Sequence, residues 1–141
     1  MSIEWNKEIA RQYKEDVWNG GNLDLLYKIY GVHSPVEDNT SLETRVKGIQ
    51  YFHHIAPGLK FTILKQVAEG DMVMLYWQCD LTYSVVPEPP PTTLMPPFGK
   101  PVTWKGVDIM RIVDGKIVEI EFVNPWTGML VEYGVIPTPK A

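Results

Sequence analysis

In the N-terminal part of the chain, hydrophobic residues recur every three to four positions, which is the spacing of a helix with one buried face. The first such face consists of Trp5, Ile9, Tyr13 and Val17. We therefore predict a helix over residues 3–18, with Ser2 as its N-cap and an end at the following Asn-Gly-Gly. Asn22 is placed to cap a second, short helix. Thr40 and Glu43 form a capping box before a third helix, which ends at Pro57-Gly58.

From Leu59 onward the hydrophobic residues alternate with polar ones, as in strands that have one buried face. We predict strands over Leu59–Ala68 and Met72–Val85, and a further hairpin around Asp114-Gly115. A short extended segment, Val32–Val36, precedes the third helix. Helices followed by an antiparallel sheet give an α+β fold.

The Asp114-Gly115 turn fixes a register for its hairpin, because a two-residue loop pairs the residues that flank it directly. Counting outward from the turn without interruption pairs Asp108 with Glu121 on one face of the sheet. Two facing carboxylates repel, so burial would raise the pKa of at least one of them and suit the pair to proton transfer. The alternative is that this face is the solvated side of an edge hairpin.

Composition narrows the classes of partner. The chain has 141 residues, which fits one domain (residues 1–141), and a net charge of −4 without a Lys/Arg cluster. We therefore expect no nucleic-acid or membrane partner. The N-terminus carries no secretory signal, and the single cysteine, Cys79, fits a reducing cytoplasm.

A proline-rich stretch over residues 87–101 interrupts the predicted sheet. Proline cannot donate to a strand ladder, so this stretch is predicted to be a stiff loop. Long ordered loops between strands often cover binding sites, and this loop carries Leu94, Met95 and Phe98. It is a lid, a solvent loop packed on its own domain, or a ligand for proline-reading domains.

Several short motifs, taken in order, resemble the nuclear transport factor 2-like superfamily and in particular its SnoaL-like polyketide cyclase and ketosteroid isomerase branches. The motifs are Asn19-Gly20-Gly21-Asn22-Leu23-Asp24, Val32-His33-Ser34-Pro35, Gly48, Ala68-Glu69-Gly70-Asp71, Gly99-Lys100-Pro101-Val102 and Asp114-Gly115-Lys116-Ile117-Val118-Glu119. The resemblance implies a cone-shaped single domain, in which three N-terminal helices pack on a curved antiparallel sheet around a cavity. It also implies a homodimer.

Ketosteroid isomerases place an oxyanion-stabilising aspartic acid where this chain has Asp108. Their general base, an aspartate before a proline, corresponds to Ser34 here. Their catalytic tyrosine on the first helix corresponds to Lys14, which follows Tyr13. The resemblance to this branch therefore assigns a role to Asp108 and not the whole isomerase machinery.

The segment Glu121-Phe122-Val123-Asn124-Pro125 resembles the C-terminal motif of phenazine biosynthesis A/B proteins, whose glutamate is an acid/base in the cavity. That resemblance implies the same role for Glu121 and points to a histidine on the third helix, where His53 lies. The aspartate that polyketide cyclases carry just after this strand is replaced by Asn124.

For His33 and His53 the sequence leaves two roles open each. His33 is a rim or capping residue, or a catalytic one, and His53 is a core residue bonded to backbone, or a proton shuttle. No metal-ligand spacing joins them to a carboxylate, so we expect no metal.

We therefore predict a cofactor-independent cyclase, isomerase or condensation enzyme that acts on a small hydrophobic metabolite with a carbonyl group. The candidate catalytic residues are Glu121, Asp108, His33 and His53. The candidate substrate-binding residues are Trp104, Met110, Tyr13, Phe52, Asn124 and Trp126. The alternative is a non-catalytic protein that binds a small ligand in the same cavity.

Overall fold

A computed structural model of the chain describes residues 2–31, 41–86 and 95–137. His33 and most of the proline-rich loop lie outside these ranges, as does the predicted extended segment Val32–Val36. Four helices and four strands are found in the described part, and the predicted α+β class is confirmed. None of these helices has the length and apolar composition that crossing a bilayer requires.

The first helix begins as predicted but changes character midway. Helix α1 (Ile3–Arg11) is capped by the Ser2 side chain, and it continues into a π-helical segment, Gln12–Asn19. In this segment the hydrogen bonds reach five residues back, as from the Gly20 N–H to the Glu15 carbonyl. Long π-helical segments are rare and are often found at functional sites.

The next two helices also have side-chain caps. Asn22 caps α2 (Leu23–Ile29), as predicted. The cap of α3 (Leu42–Ile55) is Ser41, so the predicted Thr40 capping box is displaced by one residue, and Thr40 itself lies outside the described ranges.

The sheet is fully antiparallel, with strand order β1-β2-β3-β4. Its strands are β1 (Lys60–Glu69), β2 (Met72–Thr82), β3 (Pro101–Val113) and β4 (Lys116–Val123). A fourth helix that the sequence pattern did not predict, α4 (Trp126–Glu132), follows β4. The Tyr133 hydroxyl accepts a hydrogen bond from the Thr103 N–H and so ties the end of α4 to β3.

The hairpin turn forms as predicted, but the register beyond it does not. Asp114 and Gly115 both have positive φ, and Ile112 pairs with Ile117. A bulge then adds one residue to β4, so that Asp108 pairs with Phe122, and Glu121 pairs with Ile109. Since one extra residue moves later side chains to the opposite face, the predicted pairing of Asp108 with Glu121 is wrong.

The core lies between the helices and the concave face of the sheet. Its largest fully buried side chains include Tyr13, Tyr30, Tyr83, Leu26, Ile49, Ile55, Leu75, Met110, Ile112 and Ile117. Three polar or charged residues of the described chain are buried with them, namely Asn6, Lys14 and Asp108. Two of these three, Lys14 and Asp108, define the candidate site.

Candidate active site

A cavity of about 160 Å³ opens between the helical layer and the sheet. That volume is close to the roughly 150 Å³ that holds a single benzene ring in an engineered protein cavity. Its lining is mostly aromatic and aliphatic: Tyr13, Lys14, Trp18, Arg45, Phe52, Leu59, Phe61, Trp77, Cys79, Leu81, Trp104, Asp108, Ile120, Phe122, Asn124 and Trp126. Of these residues Phe122 is the exposed one, at 55%, so the cavity meets solvent on that side.

An ion pair lies inside this apolar lining. Lys14 Nζ, on the π-helical segment, is 2.8 Å from Asp108 Oδ2 on β3, and both side chains are almost completely buried. Moving two charges out of water costs free energy, which their mutual attraction and further contacts must offset.

Aromatic rings supply those further contacts to the ammonium group. Lys14 Nζ lies 3.9 Å from the centroid of the Phe61 ring, 4.5 Å from that of Trp77 and 5.7 Å from that of Trp18. Ring faces carry negative charge density and attract a cation at these distances. The ammonium group therefore has one carboxylate and several ring faces as its surroundings.

Burial disfavours the charged form of Lys14. Removal from water lowers the pKa of Lys14, and the Asp108 carboxylate opposes this shift without cancelling it. Arg45, on α3, lies on the same cavity. Although burial disfavours its charge, the phenols of Tyr13 and Tyr30 and the Asp108 carboxylate leave the pKa of Arg45 raised.

The other titratable lining groups are held in their neutral forms. Burial raises the pKa of the Tyr13 phenol well above its usual range, so this hydroxyl keeps its proton. Burial also raises the pKa of Cys79 to about 12, which leaves the thiol un-ionised at neutral pH. Among the described lining residues, Lys14 and Asp108 are thus an amine and a carboxylate in direct contact.

Local backbone features fix the position of this pair. The Asn19 side chain bonds both backbone groups of Phe61, at 2.7 and 2.8 Å, and so joins the end of the π-helical segment to β1. On the sheet, Trp77 pairs with Gly106, whose missing side chain leaves room for the indole ring. The contacts of Lys14 with the Phe61 and Trp77 rings therefore depend on main-chain geometry.

The structure brings most of the predicted substrate-binding residues to the cavity. Five of the six line it: Tyr13, Phe52, Trp104, Asn124 and Trp126. The Trp104 and Trp126 rings meet edge to face, with centroids 5.9 Å apart. Met110 is fully buried in the core and is not part of the lining.

The predicted catalytic residues are separated. Asp108 faces the cavity, whereas the bulge in β4 places Glu121 on the outer face of the sheet, exposed and paired with Ile109. Glu121 is therefore not a partner for Asp108. His53 is partly buried and is not part of the cavity lining, and its Nε2 bonds the Trp18 backbone carbonyl, which fits the prediction of a core histidine bonded to backbone.

Sequence reasoning missed both cations of the site, although a signal was present. Lys14 falls between the buried residues Ala10 and Trp18 at steps of four. Arg45 shares the face of α3 that carries Ile49 and Phe52. A charged residue on an apolar helical stripe marks a buried charge, which normally requires a partner.

A metal centre finds no support in the part of the chain that the structure describes, since no three His, Cys, Asp or Glu side chains there are grouped as ligands. The chemistry available in the cavity is that of a carboxylate, an amine, a guanidinium and a phenol.

A curved antiparallel sheet closed by helices over a ligand-sized cavity is the architecture of the nuclear transport factor 2-like superfamily. Within this class, the chain belongs to the SnoaL-like polyketide cyclase family, whose sequence model matches residues 7–123. No curated protein sequence matches the chain.

Solved structures agree with this assignment. AclR, a proposed hydroxylase from Streptomyces galilaeus, is 26% identical with a TM-score of 0.75, over 99% of this chain and 87% of AclR. IdmH, a proposed polyketide cyclase from Streptomyces antibioticus, is 21% identical with a TM-score of 0.72, over 92% of this chain and 98% of IdmH. A SnoaL-like polyketide cyclase from Jannaschia sp. CCS1 is 17% identical with a TM-score of 0.75, over 97% of each chain. The last two likenesses show the fold alone.

Proposed function

We propose that this protein is an enzyme of secondary metabolism that transfers a proton from the carbon next to a carbonyl group, and so promotes cyclisation or isomerisation of a small aromatic or polyketide-like metabolite. The observation that carries the proposal is the buried Lys14–Asp108 pair on a cavity lined by aromatic rings. A carboxylate and an amine in contact provide a proton acceptor and a hydrogen-bond donor at one point.

Asp108 takes the role of the general base in this proposal. Its carboxylate is almost completely buried on the cavity wall, where it can accept the α-proton of a bound carbonyl compound. As the α-proton leaves, negative charge develops on the substrate's carbonyl oxygen. The Lys14 ammonium and the Arg45 guanidinium offer positive charge to stabilise it.

The charges around the cavity also indicate the substrate class. Within the described lining, two cations, Lys14 and Arg45, face one carboxylate, Asp108. A ligand that becomes an enolate, or enters as a phenolate, balances this excess. The cavity volume admits about one ring, so a larger substrate would place its remaining atoms toward Phe122, where the cavity opens.

Exchange of α-protons for deuterium tests the function without knowledge of the natural substrate. We would incubate the protein with 1-indanone and with 2-tetralone in D₂O and follow loss of the α-proton signals by NMR. We expect the wild type to accelerate exchange and Asp108→Asn to lose the acceleration by roughly 10²–10⁴-fold, the usual contribution of a general base. Glu121→Gln is the matched control, because its carboxylate lies outside the cavity, and it is expected to keep wild-type exchange.

An Asp108→Asn variant that exchanges as fast as the wild type would contradict the assigned base. If the wild type binds phenols but accelerates exchange for no ketone, the result would favour a non-catalytic protein that binds a small ligand.

A further inference from the structure

We propose that Lys14 is also a nucleophile, which captures the carbonyl carbon of its ligand as an iminium ion. This inference rests on the proposed function, since it concerns the same site and the same carbonyl substrates. It adds a covalent intermediate to a reaction that would otherwise proceed by proton transfer alone.

The position of the amine is the first support. Lys14 Nζ is buried on a cavity of ligand size, so a carbonyl group that enters the cavity meets the amine with little competing water. Cys79, the other nucleophilic atom type on the lining, keeps its proton, with a pKa of about 12. Among the described lining residues, the lysine is the group able to attack a carbonyl carbon.

The carboxylate at 2.8 Å is the second support, because iminium formation needs a group that both accepts and returns protons. Asp108 accepts one proton from the ammonium, which frees the nitrogen lone pair. The nitrogen then bonds to the carbonyl carbon, the C=O π bond breaks, and Asp108 returns its proton to the oxygen. The nitrogen loses a second proton to Asp108, which passes it to the hydroxyl group, and water leaves as the iminium forms.

Charge is conserved over this sequence. An ammonium ion and a carbonyl compound become an iminium ion and water, while Asp108 ends as a carboxylate beside a cation, as it began. No oxidant or reductant takes part. The aromatic rings of Phe61 and Trp77 that contact the ammonium would contact the iminium in the same way, so the dry cavity accommodates product and reactant alike.

Three titratable or charged groups on other elements act on Lys14. They are Asp108 on β3, Cys79 on β2 and Arg45 on α3. Asp108 favours the ammonium form, whereas burial and the Arg45 charge favour the neutral amine. Removing the Asp108 charge should therefore move the onset of amine reactivity to lower pH.

Reductive trapping tests the proposal directly. We would incubate the protein with benzaldehyde and sodium cyanoborohydride near pH 7, where exposed lysines are almost fully protonated. Reduction of an iminium leaves a stable adduct whose mass exceeds that of the protein by the mass of the aldehyde less one oxygen atom. Apart from alkylation of the terminal α-amine, whose pKa is about 7.7–8.0, we expect one fast-forming adduct on a lysine, and peptide mapping should place it on Lys14.

Matched variants sharpen the test. Lys14→Arg keeps a cation beside Asp108 but removes the nucleophile, and it should lose the fast adduct. Lys105→Arg changes an exposed lysine of β3 and should keep it. With Asp108→Asn, trapping should be slower, because the group that carries the protons is gone, and its onset should lie at lower pH than in the wild type. If Lys14→Arg fails to fold, the mapped position of the adduct in the wild type decides the question.

The failure of this inference is distinguishable from failure of the proposed function. Two results together would overturn the covalent step and leave Asp108 as a general base. The Lys14→Arg variant would keep the accelerated α-proton exchange, and the wild type would give no adduct on Lys14. An adduct spread over exposed lysines at rates like that of Lys105 would also overturn it. An adduct on Lys14 without accelerated exchange would support the nucleophile and refute the proposed enolisation.

Discussion

At the scale of single residues, the free energy of the site depends on Lys14 and Asp108 being present together. Each charge is nearly inaccessible to water, and each is the other's ionic partner at 2.8 Å. Removal of one leaves a buried charge without compensation, whereas replacement of both by apolar residues removes the desolvation cost as well. Replacing both residues would therefore favour stability, whereas the proposed function requires both of them.

The first prediction concerns the thermodynamic stability of variants of this pair. Asp108→Asn should lower the free energy of unfolding by about 3–5 kcal/mol, because it strands a buried ammonium group. Lys14→Met combined with Asp108→Leu should unfold within about 1 kcal/mol of the wild type or be more stable. Urea denaturation followed by tryptophan fluorescence measures both. A loss in the double variant equal to the sum of the losses in Lys14→Met and Asp108→Leu alone would show that the two charges do not interact.

At the scale of elements, regular patterns were predictable and their interruptions were not. The Asp114-Gly115 turn, the Ser2 and Asn22 caps and the change from helices to strands are local properties, and the sequence indicates them. The bulge in β4 is not local. It depends on β4 packing Ile117 and Ile120 into the same core, and these residues are an odd number of positions apart.

The candidate site was likewise predicted only in part, because local patterns place some of its residues and tertiary packing places the others. Alternation along β3 placed Asp108 and Trp104 on one face, and that face lines the cavity, as do four more of the six proposed binding residues. Glu121 was misplaced because the uninterrupted count from the turn passes over the bulge. Lys14 was aligned with the catalytic tyrosine of ketosteroid isomerases but was given no role of its own, because charges on helices are usually solvated and only packing against β3 shows that this one is not.

The second prediction compares two glycine-to-alanine changes. A Cβ on Gly106 would lie 2.6 Å from ring carbons of Trp77 and 2.8 Å from the Val123 carbonyl oxygen, so Gly106→Ala should destabilise by about 1–3 kcal/mol and weaken ligand binding. A Cβ on Gly48, in α3, meets nothing within 4 Å. Gly48→Ala should therefore stabilise by roughly 0.5–1 kcal/mol.

Thermal unfolding of the two variants, with and without a bound phenol, checks this prediction. A Gly106→Ala variant as stable as the wild type, with unaltered phenol binding, would show that the Trp77 indole is free to move.

At the scale of the whole molecule, the outer face of the sheet carries exposed hydrophobic side chains. The strand pairings place Val67, Met74, Ile109 and Glu121 in one row across all four strands. Val67 and Met74 are 58% and 40% exposed. The neighbouring row joins Lys65 on β1 to Tyr76, Val107 and Val123, and Val123 is 61% exposed.

The third prediction is that the protein forms a homodimer through this outer face. Size-exclusion chromatography with light scattering should give twice the monomer mass for the wild type, and Met74→Lys should shift it toward the monomer, because it buries a charge in the interface. Val113→Lys is the control, since Val113 is equally exposed but lies at the hairpin turn. A monomeric wild type at micromolar concentration would refute the predicted interface.

The double hydrogen bond between Asn19 and the backbone of Phe61 has a consequence for substrate size. A slip of β1 past the helical layer would break both bonds at once, so the closed end of the cavity cannot widen gradually to admit a bulkier ring. Selection among substrates would then be strict for the ring that contacts Lys14 and tolerant for whatever extends past Phe122. A series of ketones lengthened at one end should bind with similar affinity, and a series thickened at the reacting ring should lose binding abruptly.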